Sequence, residues 1–202
     1  MATATEIRNR IEGLPLGAPF TTRELSALGS RASVDQALSR LARSGYVTRV
    51  ARGVYVRPKQ NRFVGSVPPE PAEVARAIAR SSRAEIQVHG AEAARRFGFS
   101  TQVPMRPIFY TSGTSRKLRV GNQPIELRHA TPRRLALAGR PAGEALSALW
   151  YLGKGHVGPA TIVSLRTRLA PEEFAVLRGA TNVMPTWMAD VMHKYGGGEA
   201  IA

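Results

Sequence analysis

Between Thr21 and Arg57 the chain reads TTRELSALGSRASVDQALSRLARSGYVTRVARGVYVR, and this run limits the possible folds more than any other. Thr21 with Glu24 three residues later is a capping-box signal, and Leu25 and Leu28 share a face before Gly29 stops the helix. A second helix is expected from near Ser33, whose hydroxyl can cap the exposed amides. Its apolar positions Val34, Ala37, Leu38 and Leu41 follow i, i+3, i+4, i+7 spacing, and Gly45 ends it. Tyr46–Val50 and Val54–Val56 are rich in β-branched residues. Ala51-Arg52-Gly53 between them makes a short hairpin with glycine where positive φ is needed. A helix over Thr5–Glu12, with Ile7 and Ile11 four apart, precedes them and ends at Gly13 and Pro15; Gly13–Phe20 reads as a loop. Helix, helix, helix and hairpin within residues 1–57 predict a winged helix-turn-helix.

The rest of the chain reads differently. Residues 58–71, with prolines at 58, 68, 69 and 71 and few apolar residues between them, read as a connector. Helices are expected at Glu73–Ala79 and Ala91–Phe97, and short strands at Ile108–Thr111, Leu118–Val120 and Ile125–Arg128. Four helices follow, at Gly143–Leu152, Pro159–Arg168, Pro171–Leu177 and Pro185–Tyr195, with prolines just inside three of the starts. The expected fold class is therefore α+β: a winged helix at 1–57, then a small mixed domain at 72–195 with a short sheet and C-terminal helices. Residues 196–202 read as a disordered tail.

Composition narrows the partners. The chain has 202 residues and 43% apolar content, enough for one large core or two small ones. Its formal net charge is +15, with a pI of about 11.4, which favours polyanions and predicts salt-sensitive association. Cysteine is absent, which removes disulfides, thiolate zinc sites and cysteine nucleophiles together. The N-terminus has no apolar signal region, and no window reaches the roughly 20 apolar residues of a membrane span. A cytoplasmic protein without a membrane partner is expected.

On the second helix, Ala32, Gln36, Ser39 and Arg43 point away from the apolar stripe, Arg40 flanks them and Arg31 sits just before the start. Glutamine can pair with an adenine edge, arginine with guanine, and serine with bases or phosphates. Asp35, toward one side, would repel phosphates unless it accepts from a cytosine amine or pairs with an arginine. Arg49, Arg52 and Arg57 lie on or beside the hairpin, where a wing meets the DNA backbone or minor groove. Thr21 and Thr22 open the preceding helix, whose first amides could hold a phosphate. The expected partner is double-stranded DNA. The hydroxyl-rich loop Thr111–Lys117 offers a second possible phosphate or partner contact at Ser115, Arg116 and Lys117.

No catalytic residue, metal or cofactor is expected. His89, His129, His156 and His193 are dispersed, and aspartate occurs only at Asp35 and Asp190. Gly153-Lys154-Gly155 lacks the spacing and hydroxyl of a phosphate loop. Trp150, Tyr151 and Trp187 lie on apolar helical faces and read as core.

The run S-V-x-x-A-L-S-R-L-A-R-x-G-Y-V-x-R-V-x-R-G-V-Y from Ser33 resembles the winged helix of AbiEi-type antitoxins. Gln87–Ala94, Phe97-Gly98 and the segment Pro104–Thr111 resemble that family's second domain, so the resemblance spans roughly residues 5–195. It implies a cytoplasmic antitoxin of a type IV toxin–antitoxin operon. The winged helix would bind inverted repeats of operator DNA in its own promoter and repress transcription. The second domain would oppose a nucleotidyltransferase-like toxin, with no stable complex required. By matching position, Arg31, Ser33, Gln36, Ser39, Arg40, Arg43, Arg49 and Arg52 would be the DNA contacts. The alternative is a module that neutralises a toxin by direct contact or by binding RNA.

Overall fold

The computed structural model describes residues 2–63 and 65–197. The chain is α+β and divides into two compact units, one of Met1–Ala84 with Arg116–Glu126, the other of Glu85–Ser115 with Leu127–Ala202.

The first unit opens with α1 (Ala2–Glu12), whose Ile7 and Ile11 are fully buried. Strand β1 (Pro19–Thr21) lies where the sequence suggested only loop. Three residues are too few to show alternation, and the proline is tolerated because β1 is an edge strand. A 3-10 helix (Thr22–Leu28) follows, seating Leu25 in the core. Helix α2 (Arg31–Arg43) starts two residues earlier than its apolar pattern suggested. Ser30, not Ser33, is the N-cap: its Oγ accepts from the Ser33 amide at 3.2 Å. At the other end Gly45, at φ +74, lets the Gly45 and Tyr46 amides turn back onto the Ala42 and Leu41 carbonyls.

Strands β2 (Thr48–Ala51) and β3 (Val54–Val56) form the hairpin, with β3 central in the order β1-β3-β2. Phe20 and Arg49 both oppose Tyr55, and the register shifts between Arg49 and Ala51. One core of Ile7, Ile11, Phe20, Leu25, Val34, Leu38 and Val47 holds these elements together.

Residues 58–71 are not a bare connector. They contain an antiparallel hairpin, β4 (Lys59–Asn61) and β5 (Gly65–Val67), whose residues are almost all exposed and so leave no apolar alternation to read. Helix α3 (Pro71–Ser82) also belongs to the first unit, where it packs on β1 with Val74 and Ile78 buried. The compact units thus divide elsewhere than at the boundaries 57 and 72.

In the second unit β6 (Ile86–Val88) leads into α4 (Gly90–Arg96), capped by His89, whose Nδ1 accepts from the Ala91 amide at 3.2 Å. Strand β7 (Ile108–Thr111) pairs antiparallel with β6, Val88 opposite Phe109. Strand β8 (Arg116–Val120) returns the chain to the first unit beside β2. Strand β9 (Gln123–His129) pairs with β8 and its far end leads back to the second unit, where the Ala130 amide meets the Thr111 carbonyl at 2.9 Å.

Helices α5 (Pro141–Leu152), α6 (Pro159–Arg168), α7 (Pro171–Gly179) and α8 (Thr186–Tyr195) complete the second unit. Prolines 141, 159 and 171 each take the first helical turn, where the missing N–H costs no intrahelical bond, whereas Pro185 precedes α8 as its N-cap. Leu146, Leu149, Ile162, Leu165, Leu177, Met188 and Met192 form its core. Gly90 is required where α4 meets α5: a Cβ there would stand 2.5 Å from the Ser147 carbonyl oxygen. Trp150 and Trp187 are half-buried against the core, and the Arg133 and Arg134 guanidinium carbons lie 5.6 and 4.3 Å from the Trp150 ring. Tyr151, expected in the core, is 46% exposed; it lies in the last turn of α5 beside Gly90, its ring 6.2 Å from that of His89. The Gly196 amide donates to Met192 at 2.8 Å and closes α8, while residues 198–202 of the expected disordered tail lie outside the described residues.

A carboxylate joins two of these helices. Glu173 of α7 accepts from Arg140 (3.0 and 2.7 Å) and from the Ala142 amide in the first turn of α5 (2.9 Å). The Arg140 guanidinium, then the Ala142 amide, holds the Glu173 carboxyl below the ordinary glutamate value. A carboxyl with a depressed folded pKa stabilises the fold above its unfolded value, near 4.3, and loses that contribution as pH falls through the folded one. Thermal unfolding between pH 6 and pH 2.5 should therefore show a shallower acid-side fall in Tm for E173Q than for the wild type; identical slopes would contradict this role.

Candidate nucleic-acid interface

One face of α2 carries Arg31, Asp35, Ser39, Ala42 and Arg43, at spacings of i, i+4, i+8, i+11 and i+12. Together with Thr22 and with Arg49, Arg52, Gly53 and Tyr55 of the β2–β3 hairpin, they line an open concavity of about 590 Å³. Apolar burial aims this face. Val34, Ala37 and Leu38 turn into the core and leave the opposite side of the helix in solvent. Gly53, at φ +74, makes the tight turn that brings Arg52 to the rim.

Four arginines against one aspartate leave the concavity at a net +3 (4 − 1). Of the two outlets the sequence left open for Asp35, the structure contains the pairing with arginine. Arg31 Nε lies 3.8 Å from Asp35 Oδ2, with both side chains more than half exposed. Such a pair contributes little stability. The arrangement can hold an extended polyanion: guanidinium groups come from both a helix and a hairpin, and Thr22 and Ser39 add hydroxyls to the same lining.

The sequence-derived set is only partly gathered here. Thr22, Arg31, Ser39, Arg43, Arg49 and Arg52 line the concavity. Gln36 and Arg40 are exposed further round α2, about 60–100° past Ser39 by helical geometry, and lie outside it. Ser33 is exposed, its hydroxyl 2.8 Å from that of the N-cap Ser30.

The two threonine amides are not available to a phosphate. Thr21 N donates to Glu24 Oε2 at 3.1 Å and Thr22 N to the Gly53 carbonyl at 3.1 Å, and the Thr21 side chain is buried. Arg57 is also diverted. Its Nη1 donates to the carbonyls of Glu12 (2.7 Å) and Leu14 (3.2 Å) at the end of α1. Its guanidinium lies 5.7 Å from the Tyr46 ring, with Arg8 at 4.7 Å from the same ring. Nothing local in the sequence links Arg57 to a helix end forty-five residues earlier.

Hydroxyls of the Thr111–Lys117 loop are already engaged. Thr111 Oγ1 accepts from the Gly113 amide (3.1 Å), Ser112 Oγ from Glu85 (2.9 Å) and Ser115 Oγ from His129 (2.8 Å). Arg116 and Lys117 are exposed at the start of β8, and partial desolvation lowers the Arg116 pKa from its ordinary value without removing its charge at neutral pH. Sequence reasoning missed Gly53 and Tyr55 as lining residues. Tyr55 is buried, its ring stacked on Phe20 at 6.1 Å, and still contributes to the lining.

Among the described residues no group of three or more His, Asp or Glu side chains is placed to hold a metal ion, and no helix is long and apolar enough to cross a membrane.

Because Arg57 closes the end of α1, R57A should lower Tm, at a cost of about 0.5–1.5 kcal/mol of stability, since both carbonyls stay within reach of water. R52A, at the exposed rim, should leave Tm close to the wild-type value, a change of no more than about 0.5 kcal/mol in stability. Equal Tm values for the two variants would remove Arg57 from its structural role.

No curated protein matches the sequence. Residues 6–175, most of both units, match the family of unknown function DUF6088, and the chain belongs to that family.

Proposed function

We propose that the first unit is a winged helix-turn-helix that binds duplex operator DNA, with α2 as the recognition helix and the β2–β3 hairpin as the wing. One observation carries this reading: the concavity in which Arg31 and Arg43 of α2 meet Arg49 and Arg52 of the hairpin. A recognition helix and a basic wing on one surface are what phosphate anchoring beside groove readout requires. Ser39, inside the concavity, and Gln36 and Arg40, on the exposed flank of α2, supply the base-reading chemistry. Arg43, at the C-terminal end of α2, joins that readout, while Arg49 and Arg52 anchor the backbone.

In this reading the protein is a cytoplasmic autorepressor and antitoxin, and its second unit opposes a nucleotidyltransferase-like toxin. The support for that part is the sequence resemblance of Gln87–Ala94 and Pro104–Thr111 to AbiEi-type antitoxins. No catalytic step is assigned to the chain.

Retardation of the DNA immediately upstream of the reading frame should weaken on substituting R49A/R52A. The slope of log K against log salt should become shallower by about 2, since each lost phosphate contact removes about 0.9. R40A/R43A should abolish specific retardation; wild-type binding by both double variants would sink the DNA assignment. The antitoxin part has its own test in co-expression with the adjacent gene product. Growth should be restored by the full chain, and continued toxicity would remove the antitoxin role while leaving DNA binding standing.

A further inference from the structure

Phe63 is 81% exposed at the turn of the β4–β5 hairpin. A phenylalanine left in water forgoes the burial that usually fixes its place, and here nothing in the local fold compels it: β4 is exposed throughout and β5 nearly so. The turn's described residues are nonetheless held in place. Asn61 Oδ1 accepts from the Phe63 amide at 2.8 Å, and Gly65, at φ +72, carries the chain back into β5. The Arg62 guanidinium carbon lies 4.8 Å from the Phe63 ring centroid, so a cation accompanies the aromatic face. Lys59 is exposed at the base of the same hairpin.

The surrounding charge restricts the occupant. From Gln36 to Pro69 the sequence contains no aspartate or glutamate, yet it contains Arg40, Arg43, Arg49, Arg52, Arg57, Lys59 and Arg62. The hairpin therefore ends a run of chain complementary to a polyanion rather than to a mixed protein surface. An apolar ring beside cations, carried on a short two-stranded arm, has the chemistry of a wedge that enters a base step while its neighbours meet phosphates.

We propose that the β4–β5 hairpin is a second DNA-contacting arm, in which the Phe63 ring stacks at a base step of duplex DNA and Arg62 and Lys59 meet the flanking phosphates. This rests on the DNA reading of the α2 concavity and adds to it a deformation of the duplex that the concavity alone would not produce.

The test uses the full chain and the duplex immediately upstream of its reading frame, with wild type, F63A, F63W and R49A/R52A compared by gel retardation and by permanganate reactivity of thymines. Phe63 is exposed, so F63A should unfold at the wild-type temperature. It should bind about tenfold more weakly, and F63W should bind as well as wild type. A thymine made reactive by wild type and by F63W should stay unreactive with F63A. If F63A binds and footprints like wild type while R49A/R52A is impaired, the arm is overturned and the DNA reading stands. Weakened binding by F63A with no reactive thymine in any complex overturns the stacking step. Failure of the wild type to retard any duplex overturns both.

Discussion

The rotational setting of α2 is the constraint on which the first unit depends. Val34, Ala37 and Leu38 are buried against Ile7, Ile11 and Phe20, and burying a side chain such as Val or Leu contributes about 1.5–3 kcal/mol. Turning the helix by one residue would expose that stripe at a cost of several kcal/mol, whereas an exposed arginine interaction contributes at most about 1 kcal/mol. Hydrophobic burial therefore decides where the arginines point. The charges of the concavity follow from the core and do not compete with it.

That hierarchy explains what could be read from the residues alone. The apolar spacing of α2, the β-branched hairpin and the proline-initiated helices α6 and α7 all signal themselves locally, and each lies where the pattern places it to within a few residues. The elements that escaped are those whose stabilising partners are distant or polar. Strand β1 is too short to alternate, and β4–β5 has no buried face to alternate toward. Ser33 and the apolar stripe point to a start later than the Ser30 cap, because a cap carries no apolar signature of its own.

The candidate site shows the same division. Which side of α2 faces solvent was legible; which part of that side turns toward the hairpin was not, so Gln36 and Arg40 stand apart from Ser39 and Arg43. Thr21, Thr22 and Arg57 carry the right chemistry for phosphate, but their backbone amides or guanidinium are already engaged by protein acceptors. Residue type states what a side chain can bind. Whether it remains available is a three-dimensional fact.

The placement of the aromatic residues has a spectroscopic consequence. Both tryptophans of the chain, Trp150 and Trp187, sit on helices of the second unit, with Trp150 under Arg133 and Arg134, while the first unit contains tyrosines such as Tyr46 and Tyr55 and no indole. Emission excited selectively from tryptophan thus reports the second unit alone, and far-ultraviolet dichroism reports the whole chain. A gap between the two unfolding curves signals that the units unfold with different stabilities, and it is obtained without a label or a truncated chain.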